Sequence, residues 1–360
     1  MTGIADGRDG RCVPGTCAVP GTSEETVRQQ RRYLREMARG YRRAQILLSC
    51  VELGVFDALA GRHATAAEVA TAVKADGRGI ELLLNAAAAL GLLEKRASRF
   101  SNTALTETCL ASGGEGSMVR SLRLESAFYR CWGHLAEAVR TDQVPEENHR
   151  DEQPDDWAHN FVYALYDMVR PVAPSIAEAL TLPEDRPLHV LDVGGGHGGY
   201  SLALARRYPL LTATVFEMPR VVPVARKIIA QAGLADRVSV QAGDFQREEL
   251  GRGYDVALVL GVLNGEPPEG RSALICKVFA ALNPGGQIVL RDFVLDPDRA
   301  SPPEAALFAL QVLLATDVGG LDTSVDWAGW LVAAGFTPPH TIALPVRVGS
   351  TLTVALKPTL

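Results

Sequence analysis

The sequence predicts a two-part α/β protein: a doubly wound, Rossmann-like sheet domain in the carboxy-terminal half, behind a mainly helical amino-terminal domain of winged-helix order. Three observations carry this. From Leu188 onward, apolar segments of strand length alternate with helical segments of about ten residues, the pattern of a largely parallel sheet covered on both faces. A glycine cluster, Gly194 to Gly199, lies where the first of those strands gives way to a helix. Before Leu188 the pattern is helical apart from one short polar-tipped hairpin. At 360 residues and 47% hydrophobic content, the chain is long enough to bury two separate cores.

Residues 1–22 are rich in Gly, Thr, Pro and small polar residues without an apolar period and read as a flexible tail. Ser23 followed by Glu24 and Glu25 marks a helix start, and Val27, Leu34, Met37, Tyr41, Ile46, Leu47 and Val51 recur at roughly helical intervals. This predicts a long helix or helix pair stopped at Gly54. Ala64–Val73, Gly79–Leu90 and Leu92–Leu105 read as helix, helix and hairpin, with Thr65 capping the first helix and Gly91 closing the second. Helical patterns continue through Ser117–Arg140 and Trp157–Leu180, parted by the acidic, Pro-containing loop Gln143–Asp156. The boundaries expected are a tail over 1–22, a helical and winged-helix domain over 23–115, a helical linker over 116–180 and the sheet domain over 181–360. Within the last, strands are expected at Leu188–Val193, Leu211–Phe216, Val238–Gln241, Tyr254–Leu260, Gln287–Arg291 and Ser350–Leu356.

Composition excludes several classes of function. A net charge of −6 and a pI near 5.7 oppose a role coating nucleic-acid phosphates. Winged-helix order alone invites a DNA-binding reading, but the basic residues there, including Arg62, Lys74 and Lys95, are matched by acids, and Asn85-Ala-Ala-Ala-Ala-Leu90 is too apolar for a groove-reading face. Dimer packing suits it better. No apolar run approaches the roughly 20 residues that span a bilayer, and the amino terminus lacks a signal pattern, so a soluble, cytoplasmic protein is expected. The six cysteines are scattered, as in a reducing compartment, and the pair Cys12 and Cys17 lacks a second pair to complete a metal site, so no metal is expected.

The strongest chemical signal is Leu191-Asp192-Val193-Gly194-Gly195-Gly196-His197-Gly198-Gly199. Glycines let the backbone turn tightly and approach a ligand at the carboxyl ends of the strands, where doubly wound sheets bind. Taken alone it is ambiguous, because Gly194, Gly196 and Gly199 also fit a dinucleotide fingerprint, with Glu217 near the place of its ribose-binding acid. Two features break the tie. The strand ends Leu-Asp-Val ahead of the glycines, and a later strand ends Gly243-Asp244-Phe245, where a carboxylate accepts from an adenine amino group and an aromatic ring stacks on the base.

This combination resembles the S-adenosylmethionine methyltransferases. More narrowly, the chain resembles the two-domain small-molecule O-methyltransferases of the caffeate, hydroxyindole and bacterial polyketide-tailoring type, over about Arg35 to Leu356. The ordered set that carries the resemblance is the winged-helix module, the linking helices, Phe161–Leu165, Asp192–Gly198, Gly243–Phe245, Leu282-Asn283-Pro284-Gly285-Gly286 and Ala334-Gly335-Phe336. The resemblance implies that Gly194 and Gly196 lie under the methionine part of S-adenosylmethionine. It implies further that Glu217, where the family more often has Asp, holds the ribose hydroxyls, that Met218 packs on adenine, and that Gly243, Asp244 and Phe245 hold the adenine. It also implies a homodimer built through the amino-terminal domain and a small-molecule acceptor. Phe161, Leu165, Met168, Phe308 and Val312 are candidate acceptor-lining residues, with ordinary core packing the competing reading for each. His197 reads as a loop histidine rather than a base.

The catalytic position departs from the family. Where the family places a histidine base after the fourth strand, this chain has Gly261-Val262-Leu263-Asn264-Gly265-Glu266, with Asn264 in the histidine's place. A carboxamide orients a substrate but does not deprotonate one near neutral pH. The acids that hold the family's histidine have counterparts in Asp292 and Asp322. Two readings follow. One is methyl transfer to a small aromatic acceptor, at oxygen first and at sulfur or carbon otherwise, with a nucleophile that ionises unaided or with Asp292 as base. The other is a cofactor-binding relative that no longer transfers methyl groups and serves a regulatory or non-methylating role.

Overall fold

A computed structural model describes residues 23–112, 114, 116–144, 155–344 and 351–359, with side chains of 155–158 left aside. The expected tail, Cys12 and Cys17, and most of the acidic loop lie outside the described residues.

The amino-terminal part begins with α1 (Glu24–Ala38), α2 (Tyr41–Glu52) and α3 (Val55–Ala58). The Ser23 hydroxyl accepts from the Thr26 N–H at the head of α1. The helix pair breaks at Gly40, and Gly54, at φ +73°, ends α2 in the left-handed region. A two-residue strand β1 (Ala64–Thr65) precedes α4 (Ala66–Val73), whose amino terminus carries a capping box between Thr65 and Glu68. The strand takes the start of what the sequence predicts as helix. Next come α5 (Gly77–Ala89), capped by Asp76, the hairpin β2 (Leu93–Arg96) and β3 (Arg99–Asn102), and α6 (Ala104–Leu110). The strands form an antiparallel sheet in the order β1-β3-β2. With α2 to α6 they enclose a core around Phe56, Leu59, Val69, Ile80, Leu84 and Phe100.

The linking helices are α7 (Val119–Trp132), α8 (Leu135–Thr141), α9 (Asp155–Val169) and α10 (Ala173–Ala179). Both long helical stretches expected here divide in two, the first at Gly133 and the second at Arg170–Val172, ahead of Pro174. The remainder is β4 (Leu188–Val193), α11 (Gly199–Arg207), β5 (Leu211–Glu217), α12 (Val222–Gln231), β6 (Val238–Ala242), β7 (Tyr254–Leu260), α13 (Pro268–Ala281), β8 (Leu282–Arg291), α14 (Pro303–Leu313), α15 (Ser324–Ala333), β9 (His340–Ile342) and β10 (Leu352–Leu356). The seven strands lie in the order β6-β5-β4-β7-β8-β10-β9. Pairings from β6 to β8 are parallel, and β10 runs antiparallel to β8 and β9.

The sheet is thus mostly parallel, and one layer of apolar packing covers each face. On one side β4, β5 and β7 meet α9 to α12 through Val162, Ile176, Leu202, Val215 and Ile228; on the other, α13 and α15 pack through Ile275, Val278, Trp327 and Leu331. The short β9 carries no sequence signal of its own, since His340-Thr341-Ile342 is mostly exposed and pairs only at the sheet edge. The chain leaves β4 toward β5 and β6 in one direction and returns to β7 and β8 in the other. A crevice therefore opens at the strand carboxyl ends between β4 and β7, where the crossovers diverge. Among the described residues no helix is long and apolar enough to cross a membrane.

Candidate functional site

The glycine run turns the chain from β4 into α11 across that crevice. Gly194, Gly196 and Gly198 have φ of +60°, +52° and +69°, a region that residues with a Cβ adopt at a cost. The Gly194 N–H donates to the Phe216 carbonyl on β5, tying the loop to the neighbouring strand. A Cβ on Gly195 would lie 2.5 Å from the Asp192 carboxyl carbon, so the loop closes over that acid only as glycine. A Cβ on Gly194 would lie 2.9 Å from Val262 and 3.7 Å from the Phe245 ring, which shows that the ends of β4, β6 and β7 converge on one place.

Asp192 is 1% exposed and accepts a 2.7 Å hydrogen bond from the Ser201 hydroxyl at the start of α11. Burial, with the nearby Glu217 charge adding to it, pushes its carboxyl up to about 7. Glu217 ends β5. Its Oε2 accepts from the Gly196 N–H at 2.8 Å and its Oε1 from the Met218 N–H at 2.7 Å, leaving a lone pair on each oxygen for further donors. Burial raises this carboxyl too, against those backbone hydrogen bonds. Met218 itself is exposed. At the end of β6, Gly243 has no room for a Cβ beside the Phe216 ring, and its N–H donates to the Glu217 carbonyl. Asp244 follows. Its Oδ1 accepts from the Gln246 N–H at 2.9 Å, and its Oδ2 lies 3.5 Å from the Arg247 Nε. Phe245 packs partly buried against the core under the crevice.

These residues fit an adenosine-bearing sulfonium. Glycines admit close backbone approach, Glu217 offers paired acceptors suited to vicinal hydroxyls, and Asp244 and Phe245 offer an acceptor and a ring face at the next strand end. His197 lies inside the loop, 5% exposed, with Nδ1 accepting from the Gly199 N–H at 2.9 Å. Burial lowers its pKa to about 4, so the ring is neutral and carries its proton on Nε2. A base whose accepting nitrogen is already used by the backbone is a structural histidine.

Asn264 sits in a single 3-10 turn, Leu263–Gly265, just past β7. Its Nδ2 donates to both oxygens of Asp292, at 2.8 and 3.0 Å, and Asp292 also accepts from the Phe293 N–H at 2.8 Å. Because a carboxylate only accepts, the amide nitrogen must face Asp292 and the carbonyl Oδ1 faces away from it. Asp292 is 7% exposed, and burial raises its pKa above the usual carboxylate range despite the hydrogen bonds from Asn264 and Phe293.

Asp322 is placed differently. It forms a buried ion pair with Arg271 and accepts from the Trp327 indole N–H at 3.3 Å, with no hydrogen bond to Asn264. Arg271 is 3% exposed, and its Nε donates to the carbonyls of Leu263 at 2.9 Å and Glu266 at 2.7 Å. The Asp322 side chain therefore reaches the Asn264 turn through Arg271, which grips that turn on both sides, while the Gly320 N–H of the same segment donates to the Asn264 backbone carbonyl at 2.9 Å. The sequence singles out the acid but not the arginine, which lies buried on a helix whose apolar residues share no single clear face.

Of the acceptor-lining candidates, Phe161, Leu165 and Met168 lie on α9, and Phe308 and Val312 lie on α14. Phe308 stacks on Phe293 with centroids 4.3 Å apart, next to Asp292. Val312 is 4% exposed and touches the Asn264 turn's surroundings, since a Cβ on Gly319 would fall 2.8 Å from its Cγ1 and against the Asn264 carbonyl. Met168 is 48% exposed, and Phe161 and Leu165 are half-buried. Helix α9 packs on the sheet, α14 belongs to a separate small cluster with Leu295 and Leu321, and α14 meets α7 through a 2.6 Å hydrogen bond from the Trp132 indole to Gln311.

Comparison with known proteins agrees with this geometry. Residues 150–337 match the family model of the O-methyltransferase domain, and residues 35–112 match that of the O-methyltransferase dimerisation domain. Among characterised relatives, a 3-hydroxy-5-methyl-1-naphthoate 3-O-methyltransferase of Streptomyces sahachiroi is 31% identical over 86% of this chain and 90% of its own. The tetracenomycin polyketide synthesis 8-O-methyl transferase TcmO of Streptomyces glaucescens is 32% identical over 88% of this chain and 93% of its own. Human N-acetylserotonin methyltransferase, solved in complex with S-adenosylmethionine, superposes with a TM-score of 0.82 at 29% identity, covering 94% of this chain and 100% of that one. The chain belongs to the S-adenosylmethionine-dependent O-methyltransferase family.

Proposed function

We propose that this enzyme methylates a hydroxyl on a fused-ring aromatic acceptor that ionises unaided, with Asn264 orienting that hydroxyl before its proton leaves and no side chain acting as a strong base. The observation that carries this reading is the Asn264 to Asp292 pairing: Asp292 uses both its oxygens on Asn264, and the outward Oδ1 of Asn264 has no useful basicity. That pairing also weighs against Asp292 as the base. Bound S-adenosylmethionine supplies an activated methyl group on a sulfonium, so what the chain must add is alignment. In this reading Gly194, Gly196 and Glu217 fix the donor's methionyl and ribose portions, and Met218, Gly243, Asp244 and Phe245 hold its adenine. Asn264 accepts a hydrogen bond from the acceptor hydroxyl until that proton leaves to solvent.

The acceptor would lie over the Asn264 turn, between α9 and α14, with Phe161, Leu165, Met168, Phe308 and Val312 as its apolar walls. The relatives whose names specify a naphthoate and tetracenomycin support a fused-ring class. The helix α1, which buries none of its residues, together with the dimerisation-domain match, supports a homodimer through the amino-terminal helices. Methyl-labelled S-adenosylmethionine incubated with hydroxynaphthalenes of graded acidity tests the function. Label recovered as an aryl methyl ether, faster for the more acidic phenols, supports it. Tight cofactor binding with no transfer to any of them would favour the non-methylating reading.

A further inference from the structure

Arg291 closes β8 at the end of an otherwise apolar run, Ile288 to Leu290, and it is half-buried. Its Nη1 donates to the Tyr200 hydroxyl at 2.8 Å, and its guanidinium carbon stands 6.0 Å from the centre of that ring. Its Nε–H is buried and has no hydrogen-bond partner, and among the described residues it forms no ion pair. Asp292, next along the strand, feels the guanidinium's charge, but its oxygens take their hydrogen bonds from Asn264 and the Phe293 N–H instead. A buried guanidinium N–H ordinarily finds an acceptor.

Tyr200 adds to the imbalance. It is 7% exposed, burial raises its pKa so that it keeps its proton, and its oxygen already accepts from Arg291, which leaves its own O–H to donate. The pair thus presents the Arg291 Nε–H and the Tyr200 O–H as donors with no carboxylate hydrogen-bonded to either among the described residues. The neutral His197 ring stands 6.1 Å from Tyr200 and the Tyr166 ring 5.6 Å beyond it, forming an aromatic wall from the glycine loop to α9.

Tyr200 lies on α11 just past the donor loop, so the place of Arg291 in the strand order carries the assignment. The donor-binding candidates sit at the ends of β4, β5 and β6, whereas Arg291 ends β8, on the other side of β7. It is paired with Leu260, its carbonyl accepts from the Gly261 N–H at 2.7 Å, and it directly precedes the residue that holds Asn264. That is the acceptor's half of the crevice. Resting on the reading of Asn264 as the acceptor's orienting group, we propose that Arg291 and Tyr200 form a receptor for a carboxylate borne by the aromatic acceptor. The enzyme's preferred substrates are then hydroxyaryl carboxylic acids, not neutral phenols.

The test measures binding of 3-hydroxy-2-naphthoic acid and of 2-naphthol to the full chain loaded with S-adenosylhomocysteine, and methyl transfer to each. The wild type should bind the acid at least tenfold more tightly. Arg291→Gln should lose at least tenfold on the acid, and less than twofold on naphthol, while Arg291→Lys recovers part of the loss and Tyr200→Phe loses a few-fold. Affinity for S-adenosylmethionine should stay within twofold in all of them. A wild type indifferent to the carboxylate overturns the proposal, whatever the variants do. So does an Arg291→Gln variant that weakens both ligands equally, or one whose main loss is S-adenosylmethionine affinity, which would assign the guanidinium to the cofactor's carboxylate. Absence of methyl transfer to both acceptors, with the binding preference intact, would sink the reading of Asn264 and leave the receptor standing.

Discussion

The Asn264 carboxamide donates from one nitrogen to both oxygens of Asp292, at 2.8 and 3.0 Å, and this fixes its carbonyl end away from Asp292. A side chain that would otherwise be free to flip is committed to presenting an acceptor. An imidazole in the same place would use Asp292 in the same way, giving it one N–H and turning the other nitrogen outward.

That equivalence predicts the effect of Asn264→His. Transfer to weakly acidic phenols at neutral pH should rise by about 10²-fold or more, the low end of what a positioned base contributes. Affinity for S-adenosylmethionine, read by calorimetry, should stay near the wild-type value. A large loss of cofactor affinity would place Asn264 against the donor instead of the acceptor.

Asp322 and Asp292 should separate cleanly. Asp322→Ala strands the buried Arg271 guanidinium and should destabilise the fold by about 3–5 kcal/mol in denaturant unfolding. Asp322→Asn should retain part of that stability and lower kcat only as far as the Leu263–Gly265 turn loosens. Asp292→Ala, in contrast, should lower kcat more than its stability loss accounts for, because it frees Asn264 directly. Equal kinetic effects from the two acids, with no loss of stability at Asp322, would show that Asp322 touches substrate.

Asp244→Ala should weaken binding of S-adenosylmethionine by about 1–3 kcal/mol through loss of one hydrogen-bond acceptor at a buried base. Part of that change belongs to the Gln246 turn, whose N–H the same carboxylate accepts. Asp244→Asn, which keeps an acceptor for the turn, separates the two contributions. Unchanged affinity in both variants would remove Asp244 from the adenine site.

Asp192 makes the fold sensitive to pH in a direction opposite to a salt-bridged acid. Its folded pKa is raised to about 7, so the folded protein holds a proton that the unfolded chain releases near the ordinary aspartate range. Stability from this group is complete in acid and drains away as pH climbs to about 7, at no more than about 1.4 kcal/mol per pH unit. Glu217 and Asp292, also raised by burial, act in the same sense. Urea midpoints of Asp192→Asn between pH 5 and 8 should therefore fall less steeply than those of the wild type. Parallel curves would mean that Asp192 is ionised throughout.

Much of the sheet domain was legible because its strands are apolar on both faces and bounded by glycines: Leu188–Val193 and Tyr254–Leu260 occur where the alternation puts them. The breaks at Gly133 and Arg170–Val172 were not, and the break at Gly40 only as an open choice between one helix and two, since apolar spacing continues across all three. Within the site, the family resemblance set Asp292 beside Asn264, and the two meet past the ends of the paired strands β7 and β8. Arg271 could not be linked to Asp322 in that way, because a buried ion pair between residues far apart in the chain leaves no local spacing. Arg291 had a signal, a lone charge ending an apolar strand, whose meaning depended on finding its Nε without a partner.

The most direct measurement is the pH dependence of single-turnover methyl transfer to two naphthols of well-separated acidity. If Asn264 orients an acceptor that ionises unaided, each rate profile rises with the ionisation of its own naphthol in the site, and the two midpoints differ. One shared midpoint, unmoved by the choice of acceptor, would reveal a protein base and contradict the account.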